Sequence, residues 1–89
     1  MNEVAFRTLA IIAVVDFFNN LRDVTDSKPI THSDVYVVWM CKILQNNKAL
    51  LSTTVSDGMY YEVTWNGDKN ECYLDAYKKI HNQVLKAKE

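Results

Sequence analysis

The chain has 89 residues, 48% of them hydrophobic, with two glycines and one proline. That suits one small domain with a modest core and excludes a linker or a disordered tail. A net charge of −1 at neutral pH offers no global attraction to nucleic acid or to an anionic membrane surface.

Residues 3–22 predict a helix. Asn2 is a candidate N-cap, Glu3 suits the positive end of the helix dipole, and no glycine or proline interrupts the run. Val4, Phe6, Ile11, Val14, Val15, Phe17, Phe18 and Leu21 cover about half the circumference. Leu9 and Ile12 fall outside that stripe, on the side of Asp16, Asn20 and Asp23, so the helix has more apolar surface than one sheet face can bury. The apolar run Leu9 to Val15 is bracketed by Arg7 and Asp16 and is far shorter than the roughly 20 residues that span a bilayer. With no secretory leader apparent, a cytoplasmic protein with reduced thiols and no membrane contact is expected.

Residues 23–33 read as a loop, marked by Asp26, Ser27, Pro29 and His32, with Pro29 holding Lys28 extended. Beyond it, Asn46-Asn47, Asp57-Gly58 and Asn66-Gly67 sit between alternating or β-branched runs, the local signature of tight hairpins. They predict strands near 35–45, 48–56, 59–65 and 68–74. From Asp75 onward, Ala76, Tyr77, Ile80, His81, Val84 and Leu85 follow helical spacing, with Lys78, Asn82 and Lys86 opposite. Alternatively, Asp68 and Glu71 form a capping box that starts this helix at 69 and deletes the fourth strand. The fold class is therefore α+β: one domain with an N-terminal helix, an antiparallel meander of three or four strands, and a C-terminal helix.

Two-residue loops at the three turns set Ile43 opposite Leu50, Thr54 opposite Tyr61 and Val63 opposite Asn70. One face then carries Val35, Val37, Trp39, Cys41, Ile43, Leu50, Met59, Tyr61, Val63, Trp65, Cys72 and Leu74, a core for the first helix to cover. The other carries Tyr36, Val38, Met40, Lys42, Leu44, Ala49, Leu51, Thr53, Val55, Tyr60, Glu62, Thr64, Lys69, Glu71 and Tyr73. Either the C-terminal helix folds over this second face or another protein does. The candidate binding surface is Tyr36, Val38, Met40, Lys42, Tyr60, Glu62, Lys69, Glu71 and Tyr73, since tyrosine and methionine are favoured at interfaces. A homodimer is expected through Leu9 and Ile12 of the first helix or through the Tyr36–Tyr60–Tyr73 face.

Residues with catalytic potential do not assemble into a mechanism. His32, Ser33 and Asp34 are adjacent, whereas a nucleophile and its base must converge from separate elements; a polar cluster capping the strand is the structural reading. His81 is expected to pack on the apolar side of the last helix. Cys41 and Cys72, on strands 1 and 4, lie about 14 Å apart, too far for a disulfide, and are expected to be buried and inert. Without clustered histidines they make no zinc site. Glu62 and Glu71 are expected to be neighbours in a surface charge network with Lys42 and Lys69 rather than an acid–base pair. Gly58 and Gly67 are turn residues, so no phosphate loop exists. No cofactor, metal or enzymatic activity is expected. Helix–three strands–helix is also the element order of double-stranded-RNA-binding domains, but Asp68, Glu71 and Asp75 at the last helix's start would repel phosphates.

The segment Asp34-Val35-Tyr36-Val37-Val38-Trp39, then Lys42, Leu44-Gln45-Asn46, Lys48-Ala49-Leu50, Ser52-Thr53-Thr54, Asp57-Gly58-Met59-Tyr60-Tyr61-Glu62-Val63-Thr64 and Asn66-Gly67-Asp68-Lys69 resembles a family of small uncharacterised proteins. These are encoded by tailed phages and prophages of low-GC Gram-positive bacteria. The likeness runs from about residue 30 to 82, without the first helix. The family brings no assigned activity. It implies a small protein made inside the host cell that acts by binding a host or defence protein. The alternative is nucleic-acid binding through Lys42, Lys69, Lys78 and Lys79.

Overall fold

The computed structural model describes residues 1–22 and 28–87; the expected loop residues Asp26 and Ser27 lie outside them. Helix α1 (Glu3–Leu21) is followed by a short 3-10 turn (His32–Asp34) and strands β1 (Val35–Ile43), β2 (Asn46–Thr53), β3 (Met59–Asn66) and β4 (Glu71–Lys78). The strands form one antiparallel sheet in the order β1-β2-β3-β4.

The start of α1 is as its sequence dictates: Asn2 Oδ1 accepts from the Ala5 N–H at 2.8 Å. Phe6, Ala10 and Val14, one turn apart, are fully buried against Val35, Ala49, Leu51, Tyr61 and Val63. The Phe17 and Tyr61 rings meet edge to face at 5.8 Å. Each of the larger core side chains contributes about 1.5–3 kcal/mol by leaving water. Asn19 fastens the returning chain to α1, accepting from the Ile30 N–H at 2.8 Å and donating to the Ile30 carbonyl at 3.0 Å. Val4 and Leu21, expected in the buried stripe, are exposed: Val4 lies about 120° round the helix from the Phe6–Ala10–Val14 line, and Leu21 is the last residue of α1. By length and composition α1 is apolar enough to cross a membrane, so its apolar character reaches well beyond Leu9–Val15; one side of it lies on the sheet.

The register departs from the expected one at every turn. The first hairpin turns at Leu44-Gln45, with Ile43 opposite Asn46. The second uses the five-residue loop 54–58, and the third the four-residue loop 67–70. A β-bulge between Val37 and Trp39 adds a one-residue shift within β1. Because strand side chains alternate, each one-residue shift exchanges the faces. Ala49, Leu51 and Thr53 are therefore buried and Met40 packs beside them, while Trp39, Cys41, Ile43 and Leu50 leave the core. Val35, Val37, Met59, Tyr61, Val63, Trp65 and Leu74 remain on the α1 side, as expected.

The expected C-terminal helix is absent. Asp75, Ala76 and Tyr77 belong to β4, and residues 79–87 have no regular secondary structure. Once β4 claims the first turn, the remainder is too short to hold a helix without a packing partner. Ile80, Val84 and Leu85 are almost fully exposed, and His81, also exposed, touches Gln83 at 3.0 Å.

Candidate functional site

The face of the sheet away from α1 is uncovered. Its register builds three rows across the strands: Tyr36–Ser52–Tyr60–Tyr77, Trp39–Leu50–Glu62–Asp75 and Cys41–Lys48–Thr64–Tyr73. Trp39 is 42% exposed, Tyr36 48%, Tyr73 42% and Tyr77 52%. Aromatics with one polar end, held on a sheet rather than a loop, lose little conformational entropy on contact with another surface.

Among the residues expected to form a binding surface, Tyr36, Tyr60, Glu62, Glu71 and Tyr73 lie on this face. Val38 is the exposed bulge residue. Met40 and Lys42 are on the α1 side instead, carried there by the register shift; the Lys42 Nζ reaches the Met1 carbonyl at 3.5 Å. Lys69 sits in the 67–70 loop, its backbone N–H held by Asn66 Oδ1 at 3.1 Å. Trp39, Lys48, Leu50, Asp75 and Tyr77 join the face, and only the bulge, which has no local sequence signal, assigns Trp39 to it. Leu9 is half-buried and Ile12 is exposed on α1.

The electrostatics of the face are local. The Lys48 Nζ lies 3.2 Å from Glu62 Oε1, a half-exposed ion pair that contributes little to stability. Glu62 faces Asp75 rather than Glu71, so the expected pairing of Glu62 with Glu71 does not form. Glu71 instead accepts a hydrogen bond from the Tyr73 hydroxyl. That bond, followed by slight desolvation and the Glu71 charge, raises the Tyr73 phenol above its ordinary value. The Lys79 ammonium stands 5.9 Å from the Tyr60 ring centre. With Lys42, Lys69, Lys78 and Lys79 on different sides and ends of the sheet, the lysines do not form one strip that could follow a phosphate backbone.

The other candidates resolve into structural roles. Asp34 Oδ2 accepts from the Thr31 N–H at 2.8 Å, and its carbonyl accepts from the Thr54 N–H at 2.8 Å. Asp34 thus ties the turn to the sheet while His32 stays exposed, which is a cap and not a triad. Both cysteines are exposed, contrary to the buried thiols expected, and they fall on opposite faces. Partial desolvation raises the Cys72 thiol, disfavouring the thiolate. Among the described residues no three His, Cys, Asp or Glu side chains converge to hold a metal.

Sequence reasoning missed two features. An open, mainly apolar hollow of ≈ 330 Å³ lies between the end of α1 and the β2–β3 loop, lined by Phe17, Phe18, Leu21, Arg22, Val55, Asp57 and Tyr61. At its floor burial, and then the Asp57 charge, raise the Tyr61 phenol. Asn47 is buried on the α1 side beside Lys42 and Trp65, its Oδ1 without a hydrogen-bond partner among the described residues. A buried strand asparagine of that kind leaves no pattern in the sequence.

Residues 7–87 match a family of unknown function, DUF6275, and the chain belongs to it. The match takes in most of α1 as well as the sheet, more than the resemblance over residues 30–82 indicated. No curated protein and no solved structure matches the chain.

Proposed function

Starting from membership of that family, we propose that this is a phage- or prophage-encoded, non-enzymatic protein that binds a host or defence protein inside the host cytoplasm through the open face of its sheet. The supporting observation is the exposed cluster Tyr36, Trp39, Tyr73 and Tyr77, interleaved with Glu62, Glu71 and Asp75. Aromatic anchors beside charged groups have the composition of a protein-binding surface rather than of a solvated one. The test compares affinity-tagged wild type with Trp39→Glu in a lysate of the bacterial host, with Val4→Glu on the far side of the molecule as the control. A partner retained by wild type and Val4→Glu but lost with Trp39→Glu is the expected result. A partner held equally by all three would move the site off this face. Steep loss of binding to DNA or RNA with rising salt would favour nucleic acid instead.

A further inference from the structure

We propose that β4 is the seam of a two-fold dimer, its free edge pairing antiparallel with β4 of a second copy so that Leu74 meets Leu74 of that copy.

An open four-stranded sheet has two edges, here β1 and β4. They are not equivalent. β1 is interrupted by the bulge between Val37 and Trp39, a device that spoils regular pairing with another strand. β4 pairs with β3 over all of Glu71–Lys78 with no shift of register, and it contains no proline. The ladder continues one residue further, with the Lys79 N–H donating to the Gly58 carbonyl at 2.8 Å. Backbone groups in an antiparallel ladder point alternately to either side. Lys79 and the other odd-numbered residues are therefore directed at β3. Cys72, Leu74, Ala76 and Lys78 present their N–H and C=O groups to the open edge.

Symmetry then leaves few registers. A two-fold axis normal to the sheet sets residues of like parity opposite each other and keeps both α1 helices on one side. Centring on Asp75 would place two carboxylates face to face. Centring on Tyr73 would oppose Glu71 and Asp75 twice over. Like charges opposite one another are destabilising. Centring on Ala76 would leave Glu71, Cys72 and Tyr73 beyond the partner strand. Centred on Leu74, both β4 carboxylates meet a phenol: Glu71 lies opposite Tyr77 of the second copy, and Tyr73 opposite its Asp75. On the α1 side Leu74 meets its own counterpart and Cys72 meets Ala76 of the second copy. This register alone combines nearly full use of the strand with no opposed like charges. The product is one continuous eight-stranded sheet with both open faces on the same side.

Cysteine trapping tests the seam directly, using purified full-length protein. In a Cys41→Ser background, Ala76→Cys sets the new thiol opposite native Cys72 of the second copy. Their Cα atoms would lie about 5.5 Å apart, within disulfide range. Mild oxidation should give a covalent dimer whose peptide map joins Cys72 to position 76. Tyr73→Glu with Tyr77→Glu, both at exposed positions, would oppose acid to acid at each phenol site. Sedimentation should show the dimer weakened by about tenfold to a hundredfold, as the summed like-charge penalties imply. A monomer at high concentration, a link between the two native Cys72 thiols, or a dimer broken by Leu9→Glu and Ile12→Glu but untouched by the tyrosine pair would overturn the proposal. The readout uses no host component, so its failure is separable from failure of the binding role.

Discussion

The two faces of this sheet come from the same four strands and differ in what they do with large side chains. The α1 side buries Ala49, Leu51, Val63 and Val35, with Tyr61 as the sheet's one large aromatic among the fully enclosed residues. The open side carries Trp39, Tyr36, Tyr73 and Tyr77 in water. The interior takes in rings as well, Phe6 and Tyr61 fully and Phe17, Phe18 and Trp65 in part, so the two sides differ in whether their rings are enclosed, not in whether they have them. The molecule thus keeps its stability on one side and its recognition chemistry on the other, so that each can change without the other.

That separation can be broken most sharply at the centre of β2. Leu51 is fully buried beneath α1, and Leu51→Ala should cost about 2–5 kcal/mol, much of a domain total of about 5–10. Trp39→Ala on the open side should cost less than about 1 kcal/mol despite removing a larger group. Urea unfolding of both variants checks the contrast, and equal losses would show that the open face is covered in solution.

Gly67 sharpens the comparison at the sheet's end. Its φ is not positive and the loop has four residues, so the two-residue turn expected at Asn66-Gly67 is absent, yet β4 forms. Glycine is needed for a different reason: a Cβ at this position would lie 2.2 Å from the Gln45 carbonyl oxygen. Gly67→Ala should therefore cost about 1–3 kcal/mol through forced displacement of the neighbouring turn, measurable as a lower urea midpoint. The left-handed backbone falls instead on Gly58 (φ 72), Leu44 (φ 56) and Asn70 (φ 54).

The smallest effect concerns the open face alone. The Glu71 hydrogen bond holds the Tyr73 phenol above its ordinary pKa. A raised folded-state value means that any stabilisation is complete below the unfolded-state value near pH 10 and is lost as pH rises through the folded one. Glu71→Gln should lower the Tyr73 titration midpoint, read from phenolate absorbance or its NMR shifts, with stability at pH 7 unchanged. An unaltered midpoint would mean that the bond is not formed in solution.

How far the sequence could be read follows the range of the forces involved. The α1 boundaries, the Asn2 cap and the meander were legible because they depend on neighbours a few residues apart. The register was not, because Asn46-Asn47 is a strong local turn signal that the chain overrides. Turning at Leu44-Gln45 accepts an unfavourable φ at Leu44 and lets Met40, Ala49, Val63 and Leu74 line up beneath α1. The bulge at Val38 has the same origin in long-range packing. For the candidate surface, five of nine expected residues lie on the open face because β3, β4 and the first residues of β1 kept their phase. Met40 and Lys42 left it with the second half of β1. The helical spacing after Asp75 was genuine periodicity, but β3 offered part of that segment a ladder, and nothing packs against the rest.

At one end of the sheet the two outer hairpins are fastened together. The Gly67 N–H donates to Asn46 Oδ1 at 3.1 Å, and the missing Cβ of Gly67 lets the Gln45 backbone close against it. The opposite end, where the 54–58 loop turns, is tied by backbone instead: the Thr54 N–H donates to the Asp34 carbonyl and the Lys79 N–H to the Gly58 carbonyl, each at 2.8 Å. Mechanically, the 44–45 and 67–70 turns are one unit rather than two independent tips. An adjustment of twist when another molecule settles on the tyrosine row would therefore carry both hairpin tips together.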